Sequence, residues 1–156
     1  MNNKKLLEKA KNVYETIRLT LDNLEWRYQE YEDNLVITLG VNGDDAPIGL
    51  VLAVDAERQL IRFLSRLNVE FNEETAPYGN IACCYFTYKL NDGSFDYDCK
   101  ENTVTFRLTA SFLDSLISEE LIIYLINTAC NTVDDFNHHF EAIANGEMTL
   151  HDLFNL

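Results

Sequence analysis

The chain has 156 residues, 47% of them hydrophobic, with nine Phe, eight Tyr and one Trp but only six Gly and two Pro. Such length and aromatic content predict a single domain over 1–156 with a sizeable core, and exclude a disordered or low-complexity chain. Twelve bases against 26 acidic residues give a formal net charge of −14, a field that repels nucleic-acid phosphates and anionic membranes. Neither is expected as a partner.

In chain order, Leu6, Leu7, Ala10, Val13, Tyr14, Ile17, Leu21 and Leu24 recur at three and four, the stripe of an amphipathic helix over Asn3 to Leu24. A short strand, Trp26 to Glu32, follows, with a tight turn at Asp33-Asn34. Leu35, Ile37, Leu39 and Val41 alternate in a second strand, and Ile48, Leu50, Leu52 and Val54 in a third. Gln59 to Arg66 forms a fourth, with Arg58, Arg62 and Arg66 sharing one parity. None of the connections has room for a crossover helix, so these strands form an antiparallel meander. Asn80 to Leu90 fits two templates. Ile81, Cys84, Tyr85 and Tyr88 have helical spacing behind Pro77, whereas Cys84, Phe86 and Tyr88 alternate as in a strand. Asn91-Asp92-Gly93 stops the segment. Phe95 and Tyr97 then pair with Val104, Phe106 and Leu108 in a hairpin turned at Lys100-Glu101-Asn102. Ser118 caps a long helix whose stripe runs from Ile122 to Ile143 and which Gly146 ends; Thr149 and Asp152 cap a last short turn.

No base lies beyond Arg107, while Asp114, Glu119, Glu120, Asp134, Asp135, Glu141, Glu147 and Asp152 follow it. The C-terminal third thus carries charge of one sign. Solubility alone accounts for this; attraction of a basic partner is the functional reading.

Four cysteines, Cys83, Cys84, Cys99 and Cys130, have neither zinc-ligand nor thioredoxin-like spacing and read as buried free thiols. No 18-residue apolar run occurs in the sequence; no leader is expected, and a reducing cytoplasm is the expected compartment. His138 and His139 point to different helix faces, and an Asp134–His138 surface pair is expected. Asp92, Asp96 and Asp98 lack the order of a calcium loop. No serine lies in a nucleophile elbow, and no carboxylate pair stands out from 26. No cofactor, metal or catalytic residue is expected. The candidate interaction surface comprises Arg58, Arg62, Arg66, Asp134, Asp135 and Glu141.

The motifs G-S-F-D-Y-D at Gly93 to Asp98, V-T-F-R at Val104 to Arg107, S-E-E-L at Ser118 and V-D-D-F at Val133 to Phe136 resemble the YbjN-like family, described as bacterial sensory transduction regulators. The resemblance is clearest over Pro77 to Gly146. It implies an α+β fold similar to type III secretion chaperones, an antiparallel sheet with packed helices in the order α-ββββ-α-ββ-α. It also implies a helix from about Tyr78 to Leu90, and no enzymatic activity. The expected function is a non-catalytic protein-interaction module, a regulatory or chaperone-like adaptor for an unidentified protein partner. The alternatives are a structural protein that self-associates, as in a homodimer, and an enzyme with an unrecognised carboxylate or cysteine site.

Overall fold

The computed structural model describes residues 3–156. The N-terminal stripe forms helix α1 (Asn3–Asn23), burying Ala10, Val13, Tyr14, Ile17 and Leu21. Strands β1 (Tyr28–Tyr31), β2 (Val36–Asn42), β3 (Pro47–Asp55) and β4 (Leu60–Glu70) follow as the expected meander. Between β1 and β2 the chain makes a 3-10 turn, Glu32–Asn34, and Leu35 takes the left-handed conformation (φ 53°). Arg58 lies in the β3–β4 turn and not in the strand. The Asp55 carboxylate accepts the backbone N–H of Glu57 and Arg58 at 3.1 and 2.9 Å, and so fixes that turn.

Residues 76–89 are helical, resolving the ambiguous segment: α2 spans Ala76–Lys89, with Pro77 in its first turn. Its contacts explain why no period was decisive. Gly79, Ala82, Cys83 and Phe86 are buried, yet Tyr78, Ile81 and Tyr88 on its other side are large and exposed. Gly79 is required by close approach, since a Cβ there would stand 2.6 Å from the Phe71 ring.

The hairpin forms as β5 (Ser94–Asp98) and β6 (Thr103–Ser111). Its turn lacks glycine; Asn102 adopts φ 51° instead, a conformation asparagine tolerates better than most residues. The Asp98 carboxylate accepts the N–H groups of Lys100 and Glu101. Gly93 opens the hairpin at φ 83°, 2.4 Å from the Phe106 ring measured from where a Cβ would sit. Ser118 Oγ accepts from the Leu121 N–H and starts α3 (Glu119–Ala144). Thr149 and Asp152 form a reciprocal capping box on α4 (Leu150–Phe154).

The sheet is antiparallel throughout, in the order β1-β2-β3-β4-β6-β5. The hairpin therefore joins by its second strand, leaving β1 and β5 as edges. Register assigns the faces. Ile37, Leu39, Leu50, Leu52, Ile61, Phe63, Phe106 and Leu108 are buried beneath the helices. Phe86 of α2, Phe95 of β5 and Phe136 and Phe140 of α3 pack ring against ring at 4.8–6.4 Å. None of the described helices lies over the other face. It bears Val36, Thr38, Val51, Ala53 and Leu64, together with Asp55, Arg62, Arg66, Glu70, Asp96, Asp98 and Arg107. No described helix is long and apolar enough to cross a membrane.

Candidate functional site

An open concavity lies along edge strand β5. Helix α2 runs against that edge, and Thr87 bonds it: the Phe95 N–H donates to Thr87 Oγ1 at 2.8 Å. The hydroxyl thus occupies the hydrogen-bonding position that another strand would take, one of the ways proteins protect sheet edges. Between α2, β5 and the β5–β6 turn a groove of about 660 Å³ is lined by Cys83, Cys84, Thr87, Tyr88, Asp96 and Arg107, among others. Tyr88, 87% exposed, stands on its rim.

The groove's chemistry is that of recognition. Its one ion pair is internally satisfied: Arg107 Nε and Nη2 donate to Asp96 Oδ2 and Oδ1 at 2.5 and 3.1 Å. Burial pushes the Cys83 thiol up to about 12, so it stays protonated and a poor nucleophile at neutral pH. No histidine lines the groove to serve it as a base. Cys84 and Cys99 also border it; both are exposed, correcting the expectation of uniformly buried thiols, which holds for Cys83 and Cys130. Burial raises Cys130 as well, to about 11. All four cysteines are free. Among the described residues no group of three or more His, Cys, Asp or Glu is arranged to hold a metal ion.

The six residues expected to form an interaction surface do not form one patch. Arg58 and Arg62 converge on Asp55 Oδ2 at 3.4 and 3.1 Å, and Arg66 is exposed further along the uncovered face. Asp134, Asp135 and Glu141 belong to α3, which covers the opposite face. Asp134 is tied into the fold, since its Oδ1 accepts the Asp44 N–H at 2.9 Å and anchors the β2–β3 turn. That bond replaces the expected Asp134–His138 pair, which is absent from the ion pairs among the described residues. The rings of His138 and His139 do not diverge; their centroids are 3.9 Å apart. His139 rests against Phe86 and Phe136. Burial first, then His138 and Lys89, hold its pKa below the ordinary value.

The aspartates at 92, 96 and 98 each have a local partner. Asp92 accepts from the Tyr124 hydroxyl, Asp96 from Arg107 and Ser94, and Asp98 caps its turn. Sequence reasoning missed the groove because it depends on how α2 lies against β5. The available signal was an α2 segment apolar on two opposite sides.

No family model matches the sequence, and no curated protein does. The fold is similar to solved structures. YbjN from E. coli superposes with a TM-score of 0.59 at 11% identity, over 81% of this chain and 92% of that one. A chain in the HopA1–SchA chaperone–effector complex gives 0.57 at 12% identity, over 79% and 91%. One in the ExsC–ExsE complex gives 0.56 at 12%, over 83% and 94%. At these identities the likeness establishes a common α+β architecture, that of YbjN and the secretion chaperones.

Proposed function

We propose that this chain is a non-catalytic protein-interaction module, an adaptor that receives a partner segment against α2 and in the groove beside β5. One observation carries the reading: α2 is apolar on both sides but buries only one. A helix with apolar residues all round is ordinarily enclosed, and here Tyr78, Ile81 and Tyr88 are 44, 38 and 87% exposed. Contiguous exposed apolar surface marks interaction sites, and aromatic side chains are enriched in them. That two of the similar structures are of protein complexes, one of a chaperone with its effector, supports the same reading.

Affinity capture with the wild-type chain and with a Tyr88→Ala, Ile81→Ser variant tests it. A protein retained by the first and lost by the second, with both folded by circular dichroism, is the expected result. Identical retention profiles would remove the α2 surface from consideration.

Self-association is the second reading, favoured by the same exposed face. Sedimentation of both chains separates the two, because a homodimer through α2 would fall apart in the variant. A homodimer that docks the arginines of the sheet face on the acids of α3 is disfavoured by geometry. Patches on opposite sides of a sheet join copies head to tail, which extends without closing into a dimer.

A further inference from the structure

Strands β1 and β2 pair with Gln29 opposite Thr38, on the face that none of the described helices covers. At that end of the face lies a concavity of about 450 Å³, lined by Arg27, Tyr28, Gln29, Thr38, Leu39 and Gly40. Three of these side chains offer donors that nothing among the described residues takes up. Arg27 enters no ion pair or hydrogen bond there. The Tyr31 hydroxyl donates to Gln29 Oε1 at 3.3 Å, which leaves the Gln29 amide nitrogen with both its N–H groups to offer. The Thr38 hydroxyl is uncommitted as well. No carboxylate lines the concavity, in a chain with 26 acidic residues. Its floor is open. Gly40 and Gly49 face each other across β2 and β3, and both are exposed. A Cβ at either would meet nothing within 4 Å, and neither has a positive φ, so the fold does not call for glycine at these positions. Glycine inside a strand weakens it and often marks a place where a ligand approaches the backbone closely.

We propose that this concavity binds the terminal carboxylate of an extended chain. The Arg27 guanidinium takes the carboxylate, for whose two oxygens its planar fork is suited. Gln29 and Thr38 donate to the same group, and the chain that it terminates lies over Gly40 and Gly49. A set of donors recognises an anion, and Arg27 repels a cation. One base, in a chain of net charge −14, matches a single negative charge better than the nearly double charge of a phosphate monoester. A free aliphatic carboxylate and the C-terminus of a peptide share this chemistry. The site lies at the opposite edge of the sheet from the β5 groove and does not depend on it.

The test is a titration of the full chain, followed through its backbone amide resonances, with hexanoate, with acetyl-Ala-Ala-Ala as the free acid, and with the same peptide as its amide. The two acids are expected to shift the Gly40 and Gly49 amides saturably, and the peptide amide to leave them in place. Arg27→Gln should weaken binding roughly ten- to a hundredfold, the worth of a hydrogen bond to a charged group. Gly40→Val raises the floor and should weaken binding too, with circular dichroism to check its fold. Lys11→Gln removes the same charge on α1, outside the concavity, and should leave binding unchanged. Tighter binding of the peptide acid than of hexanoate identifies a chain terminus as the natural occupant, and the reverse a free carboxylate. The absence of a saturable shift with either acid overturns the proposal. So does an equal response to the peptide acid and its amide, or equal weakening by Arg27→Gln and Lys11→Gln, since diffuse charge would then account for the binding.

Discussion

Replacing Thr87 by valine keeps the shape of the side chain and removes the hydroxyl that holds the edge of β5. In the native chain the Phe95 N–H donates to Thr87 Oγ1 at 2.8 Å, and Oγ1 lies 3.5 Å from the Phe95 carbonyl oxygen. The variant presents a methyl group to both. An amide left unpaired away from water costs about 1–3 kcal/mol. Thr87 borders an open groove, so water reaches the freed groups in part, and the loss should fall near the lower half of that range, about 1–2 kcal/mol. With a urea dependence of about 2 kcal/mol per molar, the middle of the range for a small protein, the unfolding midpoint should drop by roughly 0.5–1 M. The melting temperature should drop by roughly 3–6 °C. Hydrogen exchange at the Phe95 amide should accelerate more than at the amides of β3. Thr87→Ser keeps the oxygen and should retain most of the protection. A valine variant with an unchanged midpoint and unchanged Phe95 exchange would refute the edge-locking role of this hydroxyl.

Acid should loosen the α2–α3 contact before it affects the carboxylates. His139 is held below its ordinary pKa by burial, His138 and Lys89, so the unfolded chain takes up the proton first. Stability present above about pH 6.5 is lost as the pH falls through the folded value. Urea unfolding at pH 7.5 and 5.5 should show this loss in the wild type and a smaller one in His139→Phe. Asp55, whose carboxyl is lowered chiefly by the Arg58 backbone N–H, contributes above about pH 4 and lies outside that window. Gly93→Ala meets both a positive φ and the Phe106 ring, and should cost about 2 kcal/mol or more in the same assay. Phe86→Ala empties the centre of the aromatic cluster and should cost about 3–5 kcal/mol. Asp134→Ala frees the Asp44 N–H and should cost about 1 kcal/mol, with Asp134→Asn closer to wild type because the acceptor survives.

Elements whose signals are local were legible in the sequence. The stripe of α1 predicted a helix from Asn3 and its buried residues, and Ser118, Gly146, Thr149 and Asp152 marked helix ends that the backbone uses. Alternation gave the strands, though parity groups Arg58 with Arg62 and Arg66, whereas Arg58 lies in the turn that Asp55 fixes. Helix α2 was not legible from period, since it packs on one side and leaves apolar residues on the other. The family resemblance supplied what the pattern could not. The placement of β6 beside β4 is a long-range pairing that no local pattern encodes. The candidate site was less visible than the fold. The aspartates that attract attention are absorbed by turns and ion pairs, while the groove is made by bringing the eighties against the nineties of the chain.

The uncovered sheet face and its β3–β4 turn hold four of the twelve bases, Arg58, Arg62, Arg66 and Arg107, and five acids, Asp55, Glu57, Glu70, Asp96 and Asp98. The other eight bases and 21 acids carry −13 of the net −14. For a chain of this length the radius of gyration is roughly 15 Å, about twice the physiological screening length of roughly 8 Å. The two sides of the molecule are thus electrically separate bodies in cellular salt. A cationic partner is drawn in and turned toward the helices during its approach, whereas one that settles on the bare sheet arrives without guidance. The slope of association rate against ionic strength therefore reports which side a partner uses, before any complex is seen.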